Sequence, residues 1–185
     1  LLDLVTAGSE IDLAAWKGEP QKAVDVALAT YRRLRQEWDD DHLGVLRLAG
    51  TALAPVGDAA VAARRENDTE ATARWERAGE DLVEGANSAV DIYRGTYGDS
   101  MGVEALAWMA RVEAEAARVR GEAAPELWRA AVEAFGFGHV YEEARSRWRL
   151  AEALLATGDR ASAADQAKLA HEVAVRLGAA PLETA

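Results

Sequence analysis

Residues able to carry out chemistry are few in this 185-residue chain, and they are poorly spaced for it. The three histidines, His42, His139 and His171, form no His-Glu-x-x-His pattern and include no pair at helical ligand spacing. Zinc therefore has no supported site. Cysteine is absent, which removes both a disulfide framework and a thiolate metal site. Carboxylates stand close together at Glu113 with Glu115 and at Glu142 with Glu143. Such pairs perform acid–base work only where burial drives their pKa values apart. In helices this rich in alanine they read as solvated charges. Gly98-Asp99-Ser100 reads as a loop and cap, and no serine-nucleophile motif is present. Gly136-Phe137-Gly138 is the one Gly-x-Gly, and it lacks the third glycine, the lysine and the preceding strand of a phosphate cradle. The chain is expected to be no enzyme and to hold no cofactor or metal.

Tryptophan is the better lead. The six are Trp16, Trp38, Trp75, Trp108, Trp128 and Trp148. Tryptophan joins a large apolar face to a polar N–H and is common at recognition surfaces. All except Trp38 are expected to wedge between helices that alanine alone would underpack, whereas Trp38 lies in an acidic stretch and should be exposed. Trp38, Trp75 and Trp108 are the candidate ligand or partner surface. Two basic clusters, Arg32-Arg33-Leu34-Arg35 and Arg145-Ser146-Arg147-Trp148-Arg149, read as solvated helix faces. With a formal net charge of −11, the chain repels polyanions on average, so direct nucleic-acid binding is not expected.

The elements that would carry these residues are helical throughout. Half of the residues are hydrophobic and alanine dominates them, which favours helix and close helix approach. Apolar residues recur at helical period almost everywhere. A first helix over about 1–17 carries Leu4, Ala7, Ile11, Ala14 and Ala15, and Pro20 suits the first turn of a second. Asp41 could cap a third helix from His42 to about Arg65, with a kink or short break at Pro55 and Gly57. Asn67-Asp68-Thr69-Glu70 reads as a capping box, with Asn67 or Asp68 as the cap. It opens a long fourth helix with Trp75, Gly79, Leu82, Ala86, Ala89, Val90 and Tyr93 on one side, where small residues predict close contact with a neighbour. The fifth carries Leu106, Met109, Val112, Ala116 and Val119, the sixth begins near Pro125, and the seventh begins near Tyr141. The eighth carries Ala163, Ala167, Ala170, Val173, Ala174 and Leu177. No apolar run approaches the ~18–20 residues that span a bilayer.

Internal similarity then appears at the turns. Glu115 to Gly121 aligns with Glu152 to Gly158, and Ala15-Trp16-Lys17-Gly18-Glu19-Pro20 has the same form. The last hairpin resembles a tetratricopeptide repeat. Leu150, Ala151 and Leu154 match its first helix, Gly158 the turn, and Ala163, Ala167 and Ala170 its second helix. The first hairpin matches at Gly18, Ala23 and Ala27 and departs at Glu10 and Thr30. Small residues at those positions let one helix nest on the next, and each pair stack on its neighbour. The expected fold is an all-α, tetratricopeptide-like α-solenoid of about eight antiparallel helices in four hairpins, forming one domain over 1–185.

The stretch from Leu127 to Leu182 resembles a particular family. Its marks are Leu127 to Phe135, Tyr141-Glu142-Glu143-Ala144, Trp148 to Arg160, and Arg176-Leu177-Gly178-Ala179-Ala180-Pro181-Leu182. These are similar to the helical region of actinobacterial LuxR-type, MalT-like transcription regulators of the large ATP-binding class. The resemblance implies a non-catalytic segment between an ATPase and a DNA-binding domain, sensing a protein or peptide partner or a small-molecule inducer. It carries over no functional residue. The alternatives are a structural spacer and a signalling-protein helical domain of other parentage. Leu1 to Val5 lacks the basic start of a signal peptide, and Pro181 to Ala185 reads as the first turn of a further helix. A cytoplasmic internal fragment of a longer protein is therefore expected, with no membrane partner and with self-association left open.

Overall fold

A computed structural model describes residues 2–37 and 43–183. Trp38, Asp41, His42 and the side chain of Leu4 lie outside the described residues, and so do the expectations placed on them. The described chain is all-α and contains no strand. Its helices are α1 (Leu2–Trp16), α2 (Pro20–Glu37), α3 (Gly44–Arg65), α4 (Thr69–Tyr97), α5 (Val103–Val119), α6 (Pro125–Ala134), α7 (Val140–Ala156), α8 (Arg160–Leu177) and the single turn α9 (Ala180–Glu183). A 3₁₀ turn over Phe135–Phe137 follows α6. The chain forms two compact units, Leu1–Gly121 and Glu122–Ala185.

Four helices stop in the same way. At the ends of α1, α3, α7 and α8 an amide beyond the helix bonds back over five residues: Glu19 to Ala14, Asp68 to Ala63, Asp159 to Leu154 and Ala179 to Ala174, each at 2.9 Å. This is the Schellman arrangement, which satisfies carbonyls the helix leaves open and needs a left-handed residue at the turn. Gly18 (φ 69°) and Gly158 (φ 89°) supply it at two turns. Asn67 (φ 57°) supplies it at a third, as the short polar side chain of asparagine tolerates that region.

In the first unit α3 is central, with α1, α2, α4 and α5 all packed on it. Its apolar run would be long enough to cross a membrane by length and composition, but 72% of that window is buried inside the fold. The break expected at Pro55 is not seen, and α3 runs unbroken from Gly44 to Arg65. Pro55 removes a single N–H from the helix ladder, and its buried neighbours on α3 are held by four packed helices. α4 buries the stripe its sequence announced, from Trp75 through Leu82 to Val90. Of the two expected caps, Asp68 is the one used, accepting the Ala71 amide at 2.9 Å. Asp68→Ala should lower the stability of this unit by about 1 kcal/mol, read from urea unfolding.

α5 buries Val112, Ala116 and Val119 as its sequence leads one to expect, and the inward face is wider than that stripe. Leu106 is 45% exposed, while Ala107, Trp108, Arg111, Ala114 and Glu115 turn inward. In the second unit α7 packs against both α6 and α8, and Leu182 of α9 closes a small cluster with Ala144 and Ala174. The repeat positions Leu150, Ala151, Leu154, Ala163 and Ala170 are buried, whereas Ala167 is exposed.

Asp159 caps α8 by accepting the Ser162 amide at 3.1 Å. Hydrogen bonds from the Ser162 side chain and backbone, with the charge of Arg129 behind them, hold the Asp159 carboxyl below its ordinary range and outweigh a small opposing effect of burial. A lowered folded-state pKa contributes stability that is complete above the unfolded value of about 3.9 and is lost as pH falls through the folded value. Asp159→Ala should therefore lower the melting temperature at pH 7, with the difference from the parent chain shrinking below about pH 3.9.

Candidate functional site

The charged pairs of the sequence separate into those the fold buries and those it leaves in solvent. Glu113 is exposed, but Glu115 is 0% exposed and Arg111 2%. Arg111 Nη1 lies 3.5 Å from Glu115 Oε1, and Arg118 Nε lies 3.1 Å from Glu115 Oε2. Arg118 reaches across to α3, where it meets Asp58 at 2.9 Å and donates to the Ala54 carbonyl at 2.7 Å. Gly57 makes room for it, since a β-carbon there would stand 2.8 Å from the guanidinium carbon. Two cations and two anions cancel, and every long side chain is spent on another. The cluster locks α5 onto α3 and offers no open position for a substrate.

α7 uses its charges in the same manner. Glu142 is 7% exposed, not solvated, and Ser146 donates to its carbonyl at 2.8 Å. The basic stretch over 145–149 is likewise no solvated face. Arg145 meets Glu142 at 3.5 Å, Arg147 meets Glu143 at 2.7 Å, and Arg149 meets Glu152 at 2.8 Å. The Arg149 guanidinium also lies 3.9 Å over the Trp148 ring, a cation–π stack. Among the described residues no group of three His, Asp or Glu side chains could hold a metal ion.

The tryptophans divide by environment. Trp108 (3% exposed) lies against Gly50 of α3, and Trp75 is 6% exposed with Arg74 stacked 4.5 Å over it. Of the proposed surface set, Trp108 is core, Trp75 shows only an edge to a shallow recess beside Pro20 and Lys22, and Trp38 is undescribed. Packing holds for Trp128 as well, at 1% exposed, but not for Trp16, which is 58% exposed.

What remains open is a groove along α4. The 29-residue helix turns Trp75, Leu82 and Val90 inward, which leaves Val83 and Ile92 on an adjoining face. The last turn of α5 forms the opposite wall with Ala116 and Val119. The two helices come closest at Gly79, where a β-carbon would stand 2.8 Å from Val119 Cγ1. Arg64, from the end of α3, pins this corner by donating to Glu76 at 2.7 Å and to the Val119 carbonyl. The cavity has a volume of about 580 Å³. Its rim is acidic. Glu80, Glu84 and Asp91 are exposed and form no ion pair among the described residues. Like charges four apart disfavour a helix by about 0.2–0.5 kcal/mol, so the unrelieved Glu80–Glu84 step costs folding energy. The carbonyl end of α5 adds negative potential at the same place. The arrangement has a partly open apolar floor and a mainly negative rim, with Asn87 and Ser88 as neutral polar lining.

Comparison of the chain with family models, curated proteins and solved structures returns no match.

Proposed function

We propose that this chain is a non-catalytic helical-repeat scaffold whose open groove on α4 receives a partner. The observation that carries this reading is the groove itself: the charged clusters on α5 and α7 are paired within the fold, while Val83 and Ile92 stay partly open beside a wall whose Ala116 and Val119 are already buried. A spacer would have filled that space with its own side chains. The α4 groove therefore replaces the tryptophan surface as the candidate site.

Tetratricopeptide-like stacking of antiparallel hairpins is the architecture we attach to it. In the first unit, α1 and α5 both pack on α3 while α2 packs on α4, the alternation that stacked pairs produce. Repeated Schellman turns at Gly18 and Gly158, each followed by buried alanines at Ala23 and Ala163, support the same reading. On this proposal the chain is the sensor or protein-interaction segment of a cytoplasmic LuxR-type regulator, working between flanking ATPase and DNA-binding domains. Coding sequence on either side tests the parentage: a Walker motif before it and a helix-turn-helix after it are expected. The groove is tested by thermal melting across a library of peptides and small molecules. An occupant should raise the melting temperature of the parent chain and leave Val83→Trp, which plugs the floor, unchanged. No shift across a broad library would remove the sensor role.

A further inference from the structure

We propose that the α4 groove takes a cationic amphipathic helix presented by a partner protein. This rests on the groove being the binding site and adds the chemistry of what binds there. Three features select the occupant. The floor from Gly79 to Ile92 extends about 20 Å along α4 at 1.5 Å per residue, the length of about 13 helical residues. An open trough of that length suits an elongated partner better than a compact ligand, which is ordinarily enclosed over most of its surface. The rim charges at Glu80, Glu84 and Asp91 follow a helical face, and Lys or Arg at i, i+4 and i+11 on an incoming helix would run alongside them. The apolar side of that helix would cover Val83 and Ile92. The net charge of −11 works against a second copy of this chain as the occupant and also against nucleic acid.

The probe is a fluorescein-labelled 18-residue amphipathic helix of Leu, Ala and Lys, read by fluorescence anisotropy. A twin with Glu in place of Lys is the control. The Lys helix should bind, the Glu helix should not, and raising salt should weaken binding. The triple variant Glu80→Gln, Glu84→Gln, Asp91→Asn should weaken it by about ten-fold while keeping the parent's circular dichroism. Glu76 is left in place because it holds Arg64. Equal binding of the Lys helix to parent and variant would overturn the proposal, as would equal binding of the two helices. So would tight binding of tetraphenylphosphonium, a small lipophilic cation, without the helix, or sedimentation showing a dimer that the triple variant dissolves. Failure of the helix alongside a Val83→Trp-sensitive thermal shift with another compound would sink this inference and leave the groove standing. Failure of both sinks both.

Discussion

Glu115→Ala should destabilise the first unit by about 3–5 kcal/mol, the cost of leaving buried charge uncompensated. Glu115 is 0% exposed and stands between Arg111 at 3.5 Å and Arg118 at 3.1 Å. Its removal leaves two guanidinium groups with Asp58 as the remaining carboxylate of the cluster, and Asp58 is 56% exposed at its side chain. The midpoint of urea unfolding should fall sharply with little change in slope. Glu115→Gln, which keeps the shape and discards the charge, should fall between the parent and Glu115→Ala. The combined change Arg111→Met, Glu115→Leu, Arg118→Met should recover most of the loss, because the penalty belongs to unpaired charge and not to lost attraction. A loss below about 1 kcal/mol for Glu115→Ala would mean that water reaches the cluster.

The second large effect compares two residues of one type. Trp128→Ala should cost about 3–5 kcal/mol, since a side chain 1% exposed leaves a cavity that its surroundings refill only in part. Trp16→Ala should stay within about 0.5 kcal/mol, because its ring is 58% exposed and few neighbours lose contact. Chemical denaturation followed by far-ultraviolet circular dichroism checks both. Equal losses would contradict the packing described for these helices. Both tryptophans sit on helices of similar apolar content, and their identity alone does not separate them.

That contrast shows how far local information reaches. The inward stripe of α4 was legible because Trp75, Gly79, Leu82, Ala86 and Val90 recur at helical period. The small size of Gly79 forecast a close neighbour, found at Val119. The face of α5 was legible at Val112, Ala116 and Val119 but not at its charged residues. Arg111 and Glu115 go inside because Glu115 is offset by Arg111 and Arg118, and Arg118 is held by Asp58 and Ala54, some 60 positions back in the chain. Residue identity marks such groups as solvent-seeking until their partners are placed. Glu142 and the basic residues over 145–149 misled differently, because their partners stand three or four places along the same helix. The groove was hidden in another way. Glu76, Glu80 and Glu84 form a like-charge ladder that stands out once α4 is drawn as a helix, yet that ladder is equally at home on any wet face.

Helical class, the position of the turns and the caps at Asp68 and Asp159 all follow from interactions within a few residues, so they were readable in one dimension. The anchoring of Arg118 on α3, the seat of Trp108 against Gly50 and the wall that α5 sets opposite α4 depend on segments far apart in the chain. Contacts of that range are chosen by packing and charge balance together, and no stretch of a single helix contains both partners.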